Sequence, residues 1–393
     1  MAEPTGRLHY IDWLRVSAFA LLILYHCSVA FFPDLDWLMK SPQTSKLLSE
    51  IMMFPRAWRL ALLFFISGMG TWFAFRRTTA PLFLKERFIR LFVPLIFAMC
   101  VIIVPQVWYE RMAHDGYQGS LFTFWITRYF TEGVYPRGNF TWAHMWFVAY
   151  LLVMTIICVP IFLFLQSERG KGVMAWFEST AKSFAIYVFF VLPLVLNVAL
   201  SPFFPHETNK LYDDGAWFAV WASWFGLGFL IARHHATLIG TIANRRWVSF
   251  ALMLVLTFVM YRYAWWGEPV IGSYENQTIL YKTLLFALAW TTILTLIGFG
   301  ALYLNRQSRA LSWLNSRIFP LYIVHQTIIL GALYHLLPLQ AGVWTTYGLV
   351  ILFTAIGSLL FAVLAGQLPA RGRMLVGLFT RPEQKVPSAT STP

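Results

Sequence analysis

The chain has 393 residues and a formal net charge of +13. Hydrophobic residues make up 59% of it and aromatic residues 18%, whereas charged residues make up only 12%, about half the share found in soluble domains. That composition excludes a water-facing globular enzyme of this size, and the recurring apolar runs near twenty residues indicate an all-α polytopic membrane protein, because such runs satisfy their backbone in lipid as helices.

Ten spans are predicted in chain order. The first covers about 10–32 and contains "IDWLRVSAFALLILYHCSVAFF", with Asp12 and Arg15 near its start and His26 near its far end. Ser28-Val29-Ala30 loosely fits a signal cleavage site, but Asp12 and Arg15 intrude on the apolar region, so a retained helix is expected. Asp12 and Arg15 are one turn apart. Eleven steps of about 100° bring Arg15 and His26 onto one stripe, about 16 Å apart along the axis. A polar stripe of this kind inside a membrane marks a site or a pathway. The plainer account is an interfacial ion pair and a satisfied core histidine.

The second span is placed at about 57–75, after an outer loop at 33–56, and carries "LLFFISGMG". The third, about 88–108, is opened by "LKERFIRLFVPL", which sets Arg87 and Arg90 one turn apart. These arginines either anchor the helix on its basic side or hold phosphate oxygens, which arginine grips bidentately. A long outer loop, about 109–143, leads to the fourth span, about 144–165, where "NFTWAHMWFVAYLL" puts His144 between two tryptophans. The fifth span is placed at about 181–201. It runs into the Pro-rich stretch "SPFFPHETNKLYDDG", which carries Asp213 and Asp214 ahead of the sixth span, about 215–233. Those carboxylates either begin a solvated helix or face a ligand. Spans at about 247–265, 278–304, 317–337 and 343–366 complete the set. The ninth contains "FPLYIVHQTIIL" with His325. The tail 371–393, ending "RPEQKVPSATSTP", is expected to be disordered.

With the N-terminus taken as cytoplasmic, Lys and Arg are twice as frequent on the inner side as on the outer, so both termini are expected inside. This bias also explains the +13 charge, and no nucleic-acid partner is expected. Cys27, Cys100 and Cys158 all lie in apolar runs, and no His, Cys or carboxylate spacing reads as a metal site. Neither a Gly-rich phosphate loop nor a G-x-S-x-G elbow is present.

Taken in order, "RLHYIDWLRVSAFALLILYH", "LLFFISGMG", "RFIRLFVP", "HMWFVAYLL" and "FPLYIVHQ" resemble the motifs of the membrane-bound acyltransferase family 3, most closely its branch that modifies periplasmic glucans. The resemblance spans roughly 7–366 and implies one transmembrane acyltransferase domain at 1–370. It implies transfer of an acyl group, succinyl or acetyl, from cytoplasmic acyl-CoA to a hydroxyl of a periplasmic or envelope glycan. It places the protein in a bacterial inner membrane as a multi-pass chain. His26 is the implied general base, with Asp12 beside it in the catalytic assignment, either steadying Arg15 or orienting the donor. Arg15, Arg87 and Arg90, together with Ser67, are the implied acyl-CoA-binding residues. His144, His325, Asp213 and Asp214 are acceptor-side candidates. The implied partners are acyl-CoA as co-substrate, with no permanently bound cofactor, the glycan, the bilayer, and glycan-synthesis proteins or a second copy of the chain.

The chemistry fits, since a neutral imidazole can take the proton of a sugar hydroxyl as it attacks a thioester. A secondary transporter or flippase for a glycan or lipid-linked sugar is the competing class, because it too lines a path with polar groups. A non-catalytic membrane partner is the third. Acyl-CoA-dependent heat protection separates the first from the second, and a His26→Ala variant separates the first from the third.

Overall fold

The computed structural model describes residues 7–379 and is helical throughout, with one isolated β-bridge, Val134 to Phe140, among the described residues. In chain order the helices are α1 His9–Val29, α2 Lys46–Phe75, α3 Ala80–Phe97, α4 Val104–His114, α5 Leu121–Phe124, α6 Trp146–Gln166, α7 Lys171–Lys182, α8 Val191–Leu200, α9 Gly215–Arg233, α10 His235–Asn244, α11 Arg246–Met260, α12 Ile279–Tyr303, α13 Arg309–Leu336, α14 Val343–Gln367 and α15 Ala370–Leu375. Nine helical segments among the described residues are long and apolar enough to cross a membrane, or ten if the bent pair α7–α8 is one span.

Helices α2, α9 and α12 form the centre, and α11 and α14 the rim. Leu352, Phe353, Ile356, Leu360 and Val363 of α14 are exposed, the pattern of a lipid-facing helix. The tightest seam is between α2 and α9. A Cβ on Gly68 would lie 1.9 Å from the Phe225 carbonyl oxygen, and one on Gly228 would lie 1.9 Å from that of Phe65. Each glycine therefore lets the opposite backbone in, as small residues do where membrane helices pack closely.

Four expectations are corrected. The second span starts at Lys46 and not near 57, so Arg56 and Arg59 belong to a helix and not to a loop margin. Ser45 caps α2 by accepting from the Leu48 amide at 3.2 Å. Pro55 sits inside α2 without ending it. The Ile51 carbonyl that loses a donor there lies 3.4 Å from the Tyr261 hydroxyl, which also donates to Glu50 at 3.2 Å. The fifth span is not one straight helix at 181–201: α7 and α8, joined through a 3₁₀ turn at Phe184–Val188, make an angle of 98°. The carbonyls of Lys182 and Ser183 freed at this break accept from Arg245 at 2.7 and 2.6 Å. Finally, the tail assigned to disorder from 371 begins in helix α15, while 380–393 lie outside the described residues.

The loop expected at 109–143 is also shorter. Helix α3 runs through a π turn at Ala98–Ile102 into α4 and carries the segment on to His114. At about 1.5 Å per residue, these 35 residues far exceed a hydrocarbon core of about 30 Å. Part of the segment must therefore lie outside it.

Candidate active site

The histidines meet where the far end of α1 packs against α13 and the start of α6. The rings of His26 and His325 lie parallel, 7° apart, with centroids separated by 5.2 Å. Nδ1 of His26 is 2.9 Å from Nε2 of His325. The ring of His144 stands edge-on to His325 at 5.0 Å.

The hydrogen bonds fix the tautomers of neutral rings. The Tyr322 carbonyl lies 2.5 Å from Nδ1 of His325 and can only accept, so Nδ1 carries the proton and Nε2 is the lone pair. His26 must then donate its Nδ1–H to that lone pair. This leaves Nε2 of His26 as a free base, and among the described residues no protein group hydrogen-bonds it. By the same logic His144 donates Nε2–H to the Ile323 carbonyl at 2.9 Å and its Nδ1 faces the Gln106 amide at 3.4 Å. The Tyr322 hydroxyl closes the network on the His144 carbonyl. With those nitrogens engaged, the three rings do not converge on a point, and among the described residues no such group is placed to hold a metal.

Two cavities touch His26. The larger, about 1290 Å³, also contains Arg56, Arg59, Glu207, Trp217 and Tyr274 in its wall. Arg59 is 4% exposed and has no carboxylate partner among the described residues. Its guanidinium lies 3.5 Å above the Tyr25 ring, and its Nε and Nη1 are unpartnered. Arg56 lies 3.4 Å above the Tyr274 ring, whose hydroxyl donates to Glu207 at 2.7 Å. Burial pushes the Tyr274 phenol up, so it stays protonated. The smaller cavity, about 280 Å³, lies on the α4 side.

The arginines stand at the other end of α1. Asp12 is 7% exposed and sits between Arg7, 2.6 Å away, and Arg15, 3.4 Å away. Arg15 also reaches Asn315 at 3.3 Å and passes close to Gly70. Arg87 donates to Thr71 at 3.4 Å and feels the charges of Arg15 and Arg90, while Arg90 lies over the Phe379 ring. Asp12, fourteen residues before His26, is about 21 Å from it along the axis, so it steadies the arginines and does not reach the imidazole. Ser67 donates to the Leu63 carbonyl of its own helix at 2.7 Å and lines neither cavity. A further cavity of about 220 Å³ has Arg76, Arg233, His234 and His235 in its wall, and burial lowers the pKa of His235 to about 4.

The stripe from Arg15 to His26 is not continuously polar. Phe19, one turn beyond Arg15, packs edge-on against Phe147 and Tyr322 at 6.3 and 5.4 Å. Tyr322 in turn stacks on His325 at 5.6 Å. An aromatic plug thus separates the arginines from the histidines.

Asp213 and Asp214 border neither cavity. Asp214 is fully buried and accepts from Tyr150 at 2.5 Å, and Asp213 accepts from Thr208. The Asp214 contact ties the 201–214 loop to α6, and the Asp213 contact lies within that loop. Sequence reasoning missed the imidazole pair itself, Arg56, Arg59 and the polar wall of the smaller cavity. Arg59 had a readable signal, an ionisable group only four residues past Pro55 in an apolar stretch.

Comparison with known proteins adds two findings. The profile of a family described as "Acyltransferase domain" matches residues 8–364. The chain is 25% identical over 354 residues to the glucans biosynthesis protein C of Escherichia coli O139:H28, with 84% of each chain covered. It is similarly related to the proteins of that name from strains O17:K52:H18, at 25%, and K12, at 24%, with the same coverage. No solved structure matches.

Proposed function

Because this chain belongs to acyltransferase family 3 and is a multi-pass membrane protein, we propose that it transfers an acyl group, succinyl or acetyl, from acyl-CoA to a hydroxyl of an envelope glycan. Its place would be a bacterial inner membrane, with both termini and the Arg15 end in the cytoplasm and the histidine cavities towards the periplasm. The basic bias of the loops supports that orientation. The glycan is taken from the relatives, which are named for glucan biosynthesis.

The observation that carries the chemistry is the hydrogen-bond chain from the Tyr322 carbonyl through His325 to His26. It holds one imidazole with its basic nitrogen bare beside a large cavity. In the reaction the sugar oxygen attacks the thioester carbonyl carbon and Nε2 of His26 takes the hydroxyl proton. The C–S bond then breaks, and the imidazolium returns the proton to the departing thiolate. His325 keeps His26 in the productive tautomer and accepts its Nδ1–H throughout. Arg59, buried in the wall of the same cavity, supplies a cation for the oxygen that becomes negative in the transition state.

Acyl-CoA carries phosphate charge that lipid disfavours. Arg15, Arg87 and Arg90 would hold it at the far end, with the pantetheine arm spanning the remaining distance of about 16 Å. The arm can pass only if Phe19 swings aside. The deciding experiment is mass spectrometry of envelope glycans from cells with the wild-type chain or with His26→Ala. The wild type should add one acyl mass and the variant, inserted at normal level, should add none. Normal modification by the variant would end the catalytic assignment. A transporter would move glycan without any acyl-CoA-dependent gain in heat stability.

A further inference from the structure

We propose that the smaller cavity beside His26 is the subsite for the sugar ring that carries the accepting hydroxyl, with Gln106, Glu110 and Asn209 as its hydroxyl-binding residues. This rests on the acyl-transfer reading above and extends it to the acceptor.

The cavity is about 280 Å³, the scale of a single sugar ring with room for water, and its wall includes His26, Gln106, Glu110, His144 and Asn209. Three residues of this wall each hold a buried oxygen without a hydrogen-bond partner among the described residues: Oε1 of Gln106, Oε2 of Glu110 and Oδ1 of Asn209, the last from a residue that borders both cavities. Gln106 is 1% exposed and Glu110 7%. Buried acceptors without donors are unfavourable and rare, and three around one space mark where a ligand's donors belong.

The rest of the Gln106 and Glu110 side chains is pinned, so their oxygens cannot turn away to find partners. The Gln106 amide donates to Thr327 at 2.8 Å, and Glu110 accepts from the Tyr135 hydroxyl through its other oxygen at 2.9 Å. Gln106 and Glu110 are one turn apart on α4 and share a face. Asn209 comes from the 201–214 loop, where its backbone carbonyl accepts from Trp142 at 3.1 Å.

The ligand's chemistry follows from these groups. They are acceptors, so the ligand brings donors. An anion would be repelled by a wall of oxygens carrying one carboxyl group. A metal ion is disfavoured too, because only one of the three groups can be charged. Trp37, Tyr135 and Trp146 supply apolar faces in the same wall, suited to the C–H faces of a ring. A neutral polyhydroxylated ring meets all of these demands. His26 borders both cavities. With His144, Trp146 and Asn209, which also border both, it forms the partition, with the acceptor ring on one side and the larger space left for the acyl group on the other.

The test uses the full chain in vesicles, with a glucose oligosaccharide as acceptor and saturating succinyl-CoA or acetyl-CoA. Glu110→Gln preserves shape and removes the carboxylate. Asn209→Gly deletes the amide and suits the backbone, which is left-handed there at φ 57°. Each should raise the acceptor KM at least tenfold, with kcat and the acyl-CoA KM within about threefold. An unchanged acceptor KM in both, or a loss confined to kcat, would overturn the proposal. If Glu110→Gln fails to accumulate, Asn209→Gly decides alone. If the wild type transfers no acyl group from either donor, the reaction assigned above is wrong, and oligosaccharide protection against heat then tests the subsite separately. Protection of the wild type that both variants lose would sustain it, and no protection of the wild type would reject it.

Discussion

Replacing His325 by Ala removes the lone pair that receives Nδ1–H of His26 across 2.9 Å. The bond itself is worth about 1 kcal/mol, or about fivefold in rate if it is fully made in the transition state. The larger loss is in tautomer and aim. A released His26 ring can carry its proton on Nε2 and present a donor where a base is required, and it can rotate into the space left by the stacked ring. Positioned proton transfer contributes about 10² to 10⁴ in rate. We therefore expect His325→Ala to lower kcat by about 10² to 10³ with the acyl-CoA KM little changed. His325→Gln offers a carbonyl oxygen to the same Nδ1–H and should recover the rate to within about tenfold of wild type. The His26→Ala, His325→Ala pair should be no slower than His26→Ala alone, because the two rings act as one unit. Steady-state rates of CoA release in vesicles compare the four variants with wild type. A His325→Ala enzyme within threefold of wild type, or a Gln variant no better than Ala, would refute the tautomer argument.

Other outcomes follow from the packing and charge. Gly68→Ala should lower heat stability, by about 1–3 kcal/mol or more, because its methyl would overlap the Phe225 carbonyl; an unaltered melting curve by scanning fluorimetry would show that the α2–α9 seam yields freely. Arg87→Ala combined with Arg90→Ala should raise the acyl-CoA KM at least tenfold and abolish acyl-CoA heat protection, and an unchanged KM would discard the phosphate assignment. Burial raises the Asp214 carboxyl from 3.8 to about 6, against the opposing hydrogen bond from Tyr150. A raised acid favours the folded state when protonated, so its contribution is full below about pH 4 and is lost as pH rises through about 6. Asp214→Asn should flatten heat stability over that window, and a pH slope equal to that of wild type would contradict this sign.

Hydropathy and charge made the helices legible, because each span must be apolar on its own account. The errors arose where one element is repaired by another. Pro55 is a helix breaker by local rules, yet Tyr261, over two hundred residues away, reaches the carbonyls near it. The α7–α8 bend is invisible in an apolar run at 181–201, because Arg245 supplies what the broken backbone lacks. The site divides in the same way. His26, His144 and His325 stand out as ionisable residues in apolar helices, but their mutual contacts join residues up to 299 positions apart. The Arg15 stripe was readable as geometry. Its interruption by Phe19 was not, because on helix periodicity alone Phe19 can face lipid or a partner equally well.

That interruption has a physiological consequence. A membrane that stores a proton gradient cannot tolerate an unbroken file of water through one of its proteins. The contact of Phe19 with Phe147 and Tyr322 is an apolar seal between the Arg15 end of α1 and the cavity at His26. Because Phe19 is the one ring that α1 contributes to this contact, its rotation alone would open the seal to the donor arm of the proposed reaction, without the helices having to part.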